Sequence, residues 1–330
     1  MERALSSAPA DFWLRAPDPE FDVHVTLDDV YTVAGSSALY VLDLEGRRDI
    51  PVAAGAEAEG GYFRQVYGLP AHEAYWSEPV PALHGPLDEA LALIKSSLDQ
   101  GAILIGIGPF TNLRLFGEKY PGSLERARLF LMGGYLYPVR PGFPRWGNTM
   151  DFNVQADVRS AHYVIEHGGR VTLIPLTVTV ETALRRAYLP ALRKVGRLGS
   201  LIAAQAEAFA MEYQYETLFG ETCPGLPKDL INFQHDPLAC AIALGWDRGV
   251  EFAEALLVVG EQGGWLVERF TTQEMGAPGA QGAPVRVVTK IDAEAFNRYW
   301  LELMTLNLKS KSMNTDDGDE EDRKKEKKET

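Results

Sequence analysis

Cysteine is scarce in this chain of 330 residues, with only Cys223 and Cys240 present. Two thiols are too few for a disulfide framework and lack the company a zinc site needs, so a reducing compartment is expected. Long apolar runs are missing as well. None approaches the eighteen or so residues of a membrane span, and the opening residues lack the basic start and apolar stretch of a secretory leader. The expected location is therefore the cytoplasm, with no membrane partner. Positive charge is also short, at 32 Lys and Arg against 46 Asp and Glu, a formal net charge of −14. A nucleic-acid surface needs clustered cations on one face, so that balance excludes a polyanion partner. A small-molecule substrate is expected instead, and a metal cation would be welcome.

What is present is an ordinary globular composition, 46% apolar and 24% charged. Apolar, β-branched runs read as buried strands: "AILIGIG" (Ala102 to Gly108), "RLFLM" (Arg128 to Met132), "RVTLIPL" (Arg170 to Leu176) and "ALLVVG" (Ala255 to Gly260). Helical spacing appears between and around them, in Pro86 to Leu98, Asp157 to Gly168, Ser200 to Gln214 and Asp292 to Met304. Such alternation predicts a single α/β domain, a mostly parallel, Rossmann-like open sheet with helices on both faces. The domain is placed at residues 46–308, after a divergent or truncated segment 1–45 and before a charged tail 309–330 expected to be disordered.

In open α/β sheets, ligands sit beyond the carboxyl ends of the strands. The residues there are polar or glycine-rich: Thr111 and Asn112 after the first run, Gly133 and Gly134 after the second, Thr177 and Thr179 after the third. Each has a plainer reading, Thr111 and Asn112 as caps of a helix beginning near Leu113, Gly133-Gly134 as a turn needing positive φ. The loop "WGNTMDFNVQAD" gathers Asn148, Asp151 and Asn153, which suit hydrogen bonding to a polyhydroxylated ligand, although a plain turn fits the composition as well. In "INFQHDPLACAIALG", Asp236 precedes Pro237 and reads as the N-cap of the helix that follows. His235 has no such structural role and is positioned to offer a proton to a ligand at the sheet edge.

Five segments in order, "GIGPFTNL", "FLMGGY", "GNTMDFNVQADVRSA", "TLIPLTVT" and "HDPLACA", resemble the signature segments of the inosine-uridine preferring nucleoside hydrolase family, with "GRRDIPVAAGAE" and His84-Gly85 fitting the same pattern. The resemblance implies hydrolysis of the N-glycosidic bond of a purine or pyrimidine ribonucleoside to free base and ribose, assisted by one Ca²⁺. It implies a metal site of Asp29, the backbone carbonyl of Thr111 and Asp236, hard oxygen donors of the kind calcium takes. It further implies ribose contacts from Asp28, Met132, Asn148, Asp151 and Asn153. Asp22 or His24 would activate the water, and His235 would protonate or steer the departing base. Asp151 stands where the family usually has glutamate. A homo-oligomer, dimer or tetramer, is also implied.

The opening segment departs from the family pattern. "DVHVTLDD" keeps the spacing of Asp22, Asp28 and Asp29 but sets His24 where a second aspartate belongs. The helix and strand expected after the double aspartate are not foreseen, because "VYTVAGSSALYVLDLEG" leads straight toward Arg47. "TLDD" has a competing reading as a helix start, with Thr26 and Asp29 forming a capping box. Two alternatives to the hydrolase follow: a non-catalytic relative that binds ribonucleosides or serves in assembly, and hydrolysis of a different glycosyl bond.

Overall fold

Residues that alternate between two apolar faces can form only the middle layer of a three-layer stack, and the computed structural model arranges them so. It describes residues 25–29, 34–57, 83–262, 265–271 and 282–306. The tail 309–330, Asp22 and His24 lie outside the described residues. For residues 25–29 the backbone alone is described.

Near the front, β1 (Val25–Asp29) and β2 (Val52–Glu57) form a parallel pair. The main sheet begins with β3 (Leu104–Gly106), β4 (Arg128–Met132) and β5 (Arg170–Ile174). A short antiparallel pair follows, β6 (Leu184–Arg185) with β7 (Leu230–Asn232). The main sheet is completed by β8 (Glu251–Gln262), β9 (Trp265–Thr271) and β10 (Ala283–Lys290), in the order β3-β4-β5-β10-β8-β9. The first four strands of that order run parallel; β10 to β8 and β8 to β9 are antiparallel. The expected open sheet is present, but "ALLVVG" belongs to its antiparallel part.

The helices are α1 (Ala34–Leu44), α2 (Leu87–Asp99), α3 (Thr111–Lys119), α4 (Val158–His167), α5 (Arg197–Tyr213), α6 (His235–Ala243) and α7 (Ala293–Thr305). Strand periodicity sorts them into two layers. Leu129, Leu131, Val171, Leu173, Val285 and Val287 pack with α2, α3 and α4. Met132, Ile174 and Val288, from the opposite face, pack with α5, α6 and α7. Each of these buried aliphatic side chains contributes roughly 1.5–3 kcal/mol relative to exposure. β5 stops at Ile174 because Pro175 has no N–H for the ladder, and Leu176–Thr179 coils into one helical turn.

Two expectations for the front are corrected. "TLDD" is strand, so Asp28 and Asp29 end β1 instead of starting a helix. The helix thought absent is α1, whose Ala38, Val41 and Leu42 recur at helical spacing and are buried. No strand intervenes between α1 and the "DIPVAAGAE" segment: the chain turns through Gly46 at φ 70° and enters β2 within a few residues.

Candidate active site

The edge of the sheet beyond β4 is set by two glycines. Gly133 (φ 150°) and Gly134 (φ 103°) adopt left-handed backbone that disfavours a side chain, and a Cβ on Gly133 would come within 3.2 Å of Val154 Cγ2. Their turn is tied to the 148–153 loop. Asp151 accepts from Gly134 N with one carboxylate oxygen and from Val154 N, at 3.4 Å, with the other, which caps the helical turn Phe152–Gln155. Burial pushes the Asp151 carboxyl up to about 6, against the two N–H bonds that favour its charge. Asn153 donates through Nδ2 to the Met132 carbonyl at 3.1 Å, and Asn148 begins the half-buried turn Asn148–Met150. The predicted residues Met132, Asn148, Asp151 and Asn153 therefore come from one stitched corner of the fold.

Thr111 and Asn112 are not caps: α3 starts at Thr111, its N-cap is Phe110, and no side chain caps it. Thr111 Oγ1 donates to Asp157 Oδ2 at 2.7 Å, and Ser160 Oγ donates to the same oxygen at 2.6 Å. Asn112 Oδ1 accepts from Ala56 N of β2 at 2.8 Å. The start of α3 is thus fixed between β2 and α4. Because β1 and β2 pair in parallel with Asp29 opposite Glu57, and α3 packs on both strands, the backbone of Asp28 and Asp29 arrives at this same edge.

At the start of α6 the N-cap is Gln234, without a side-chain cap bond; His235 and Asp236 are the first two helical residues, and Pro237 is tolerated in the first turn. Asp236 is not the cap that the sequence suggests. Its side chain is buried, at 5% exposure for the residue, and has no hydrogen-bond or ion-pair partner among the described residues. Burial pushes its carboxyl well above the usual carboxylate range. One turn on, the Cys240 thiol is pushed up by burial and by the nearby Asp236 charge.

His235, 2% exposed, places Nδ1 2.5 Å from Thr179 Oγ1. Burial lowers its imidazole to about 3, so the ring is neutral near pH 7. Around it stand Phe233 and Trp146, with ring centroids 5.5 and 6.3 Å away, and Trp146 meets Phe233 and Phe219 edge-on at 5.2 and 5.5 Å. The imidazole is a polar spot in an aromatic wall. Sequence reasoning marked Thr179 only as polar after a strand and did not single out Trp146 or Phe233. Their signal was position, immediately before Gly147-Asn148 and Gln234-His235.

A cation at this edge would draw on Asp236, the Thr111 carbonyl and Asp29. Among the described residues no three His, Cys, Asp or Glu side chains converge closely enough to hold a metal; the side chains of Asp28 and Asp29 are not among them. Asp236 itself speaks for a fit. A buried carboxylate lacking a counter-charge is the donor a hard divalent ion stabilises.

The family model described as inosine-uridine preferring nucleoside hydrolase matches residues 26–298. The chain belongs to this family. Curated relatives include the pyrimidine-specific ribonucleoside hydrolase RihA of Salmonella newport, 29% identical with 50% of each chain covered. RihA of Citrobacter koseri is 28% identical, with 63% of this chain and 64% of the relative covered. The chain thus spans about half to just under two-thirds of the length of these relatives. Among solved structures, the plant nucleoside hydrolase PpNRh1 superposes with a TM-score of 0.71 at 19% identity, covering 91% of this chain and 96% of that one. A purine-preferring ribonucleoside hydrolase from Gardnerella vaginalis gives 0.71 at 19%, over 92% and 95%. These two share the nucleoside-hydrolase fold with this chain.

Proposed function

We propose that this family member is a calcium-assisted nucleoside N-ribohydrolase, which adds water across the bond between C1′ of ribose and the base nitrogen. Supporting this is the placement, in consecutive residues at the sheet edge, of a buried neutral imidazole set in aromatic rings and a buried carboxylate without a partner among the described residues. Asp236, the Thr111 carbonyl and Asp29 would hold the ion, which when bound supplies a charge that orients water and the ribose diol.

The remaining roles belong to the chain's own groups. Asn148, Asn153 and Asp28 hydrogen-bond the sugar hydroxyls, against a floor formed by Met132. Asp151 has both oxygens engaged by backbone N–H groups, so its contribution is to hold the Gly133-Gly134 turn and keep Asn153 in place. Asp22 or His24 takes the proton of the attacking water. Trp146 and Phe233 offer apolar faces to a planar base, and His235 meets its polar edge. Because the ring is neutral, His235 acts first as a hydrogen-bond donor to the base as electron density builds up there in an oxocarbenium-like transition state. The base leaves with the bonding pair and gains a proton, while the water oxygen becomes the ribose 1-hydroxyl.

Incubation with inosine, adenosine, uridine and cytidine, followed by quantitation of free base and ribose, tests this reading. Equal release of both products supports it. Calorimetric binding of a ribonucleoside without turnover would instead establish a binding protein on the same fold. We further propose that the enzyme serves nucleoside salvage in the cytoplasm as a homo-oligomer. Among the described residues no helix is long and apolar enough to cross a membrane.

A further inference from the structure

The contact between Thr179 and His235 joins two buried groups whose donor and acceptor roles are set by the imidazole tautomer. Thr179 is wholly buried and lies at the end of the turn Leu176–Thr179, with its Oγ1 2.5 Å from His235 Nδ1 and 3.3 Å from the Leu176 carbonyl. The hydroxyl can donate to that carbonyl, which also accepts from Val180 N at 3.1 Å, but only at the longer distance, and it has a single hydrogen to give. The nearer acceptor is Nδ1. Thr179 is itself held from behind, since Thr182 Oγ1 donates to the Thr179 carbonyl at 2.7 Å and accepts from Gln234 N at 2.8 Å, the residue next to His235. A closed loop of buried bonds therefore connects the turn after β5 with the start of α6.

We propose that Thr179 is a positioning residue whose hydroxyl donates to His235 Nδ1, which leaves the ring hydrogen on Nε2 and presents that N–H to the departing base. This rests on the hydrolase reading above and deepens it. A neutral histidine can donate only from the nitrogen that carries its hydrogen, so the opposite tautomer would meet the leaving base with a lone pair. No proton is moved in setting the tautomer; the hydroxyl hydrogen stays on Thr179. During cleavage the Nε2–H bond shortens toward the base nitrogen or carbonyl that receives the glycosidic electron pair.

Two readouts test it. Long-range ¹H–¹⁵N NMR of the imidazoles, assigned with His235→Gln, reports the tautomer of His235 in the full chain at pH 7 without need of activity. The Nε2–H form in the wild type, shifting to a mixture in Thr179→Val and restored in Thr179→Ser, is the expected result; an Nδ1–H wild type, or a Val variant with unchanged tautomer, overturns the proposal. Kinetics supply the second. Thr179→Val lowers kcat for inosine by roughly 10- to 100-fold, and lowers it far less for 4-nitrophenyl riboside, whose phenolate leaves without needing a donor. Equal losses on both substrates would show a merely structural threonine. A wild type that cleaves neither substrate refutes the hydrolase reading and leaves the tautomer measurement to decide the role of Thr179.

Discussion

Replacing Asp236 by asparagine should make the metal-free protein more stable and at the same time abolish its response to calcium. The carboxylate is buried, has no counter-charge among the described residues, and is held well above the usual carboxylate range by desolvation. An uncompensated buried charge costs on the order of 3 kcal/mol, and the isosteric amide removes that cost. Unfolding entropy of ~2.1 cal/mol/K per residue gives roughly 0.7 kcal/mol/K for 330 residues, so the gain is about 4 °C in melting temperature. The sign in pH follows. A raised folded value means the folded chain keeps a proton that the unfolded chain releases above ~3.9. The Asp236 penalty therefore grows as pH climbs past that point, and the variant's advantage should be small near pH 4 and larger at pH 7. Calcium at a hundred times its dissociation constant stabilises by ~2.7 kcal/mol, which returns the wild type to about the variant's level. Differential scanning calorimetry in chelator and in calcium reads both effects. A variant less stable than the wild type in chelator, or one stabilised equally by calcium, refutes the account of this carboxylate.

His235 carries the opposite dependence: its folded value of about 3 lies below the unfolded ~6.5, so the stability it contributes is present above that range and is lost as pH falls. Relative to His235→Gln, the wild type should lose about 2 kcal/mol between pH 7 and pH 5, measured by urea denaturation at each pH. Arg140 forms a two-point ion pair with the buried Glu181, and Arg140→Ala would strand that carboxylate at a cost of roughly 3 kcal/mol, whereas the double variant with Glu181→Gln recovers most of the loss. Gly133→Ala, at φ 150° and 3.2 Å from Val154 Cγ2, should lower stability by about 1–3 kcal/mol and weaken ribonucleoside binding, as read by calorimetry.

The sheet was legible where strands are short, β-branched and bounded by breakers, and β4 matches its expected limits because Met132 runs into two glycines. Strand direction was not legible: "ALLVVG" reads like a parallel core strand, and only its partners β9 and β10 make it antiparallel. α1 escaped because two serines and the absence of a recognisable cap masked the spacing of Ala38, Val41 and Leu42. At the site, residue choice could be read but side-chain duty could not. Asp236 before proline has the form of a cap, yet the cap is Gln234, two residues earlier, and the Asp236 carboxylate has no partner among the described residues. Thr111 likewise has the form of a cap, and its hydroxyl instead reaches Asp157, 46 residues away. Long-range partners of this kind leave no local trace in a sequence.

The proposed cleavage requires a divalent ion held by oxygen donors at this edge. Its most direct measurement is release of free base from inosine and uridine by the full chain, first as isolated, then after chelation, then with calcium restored. Activity should disappear on chelation and return with about one calcium bound per chain. Turnover unchanged by chelator would contradict this requirement.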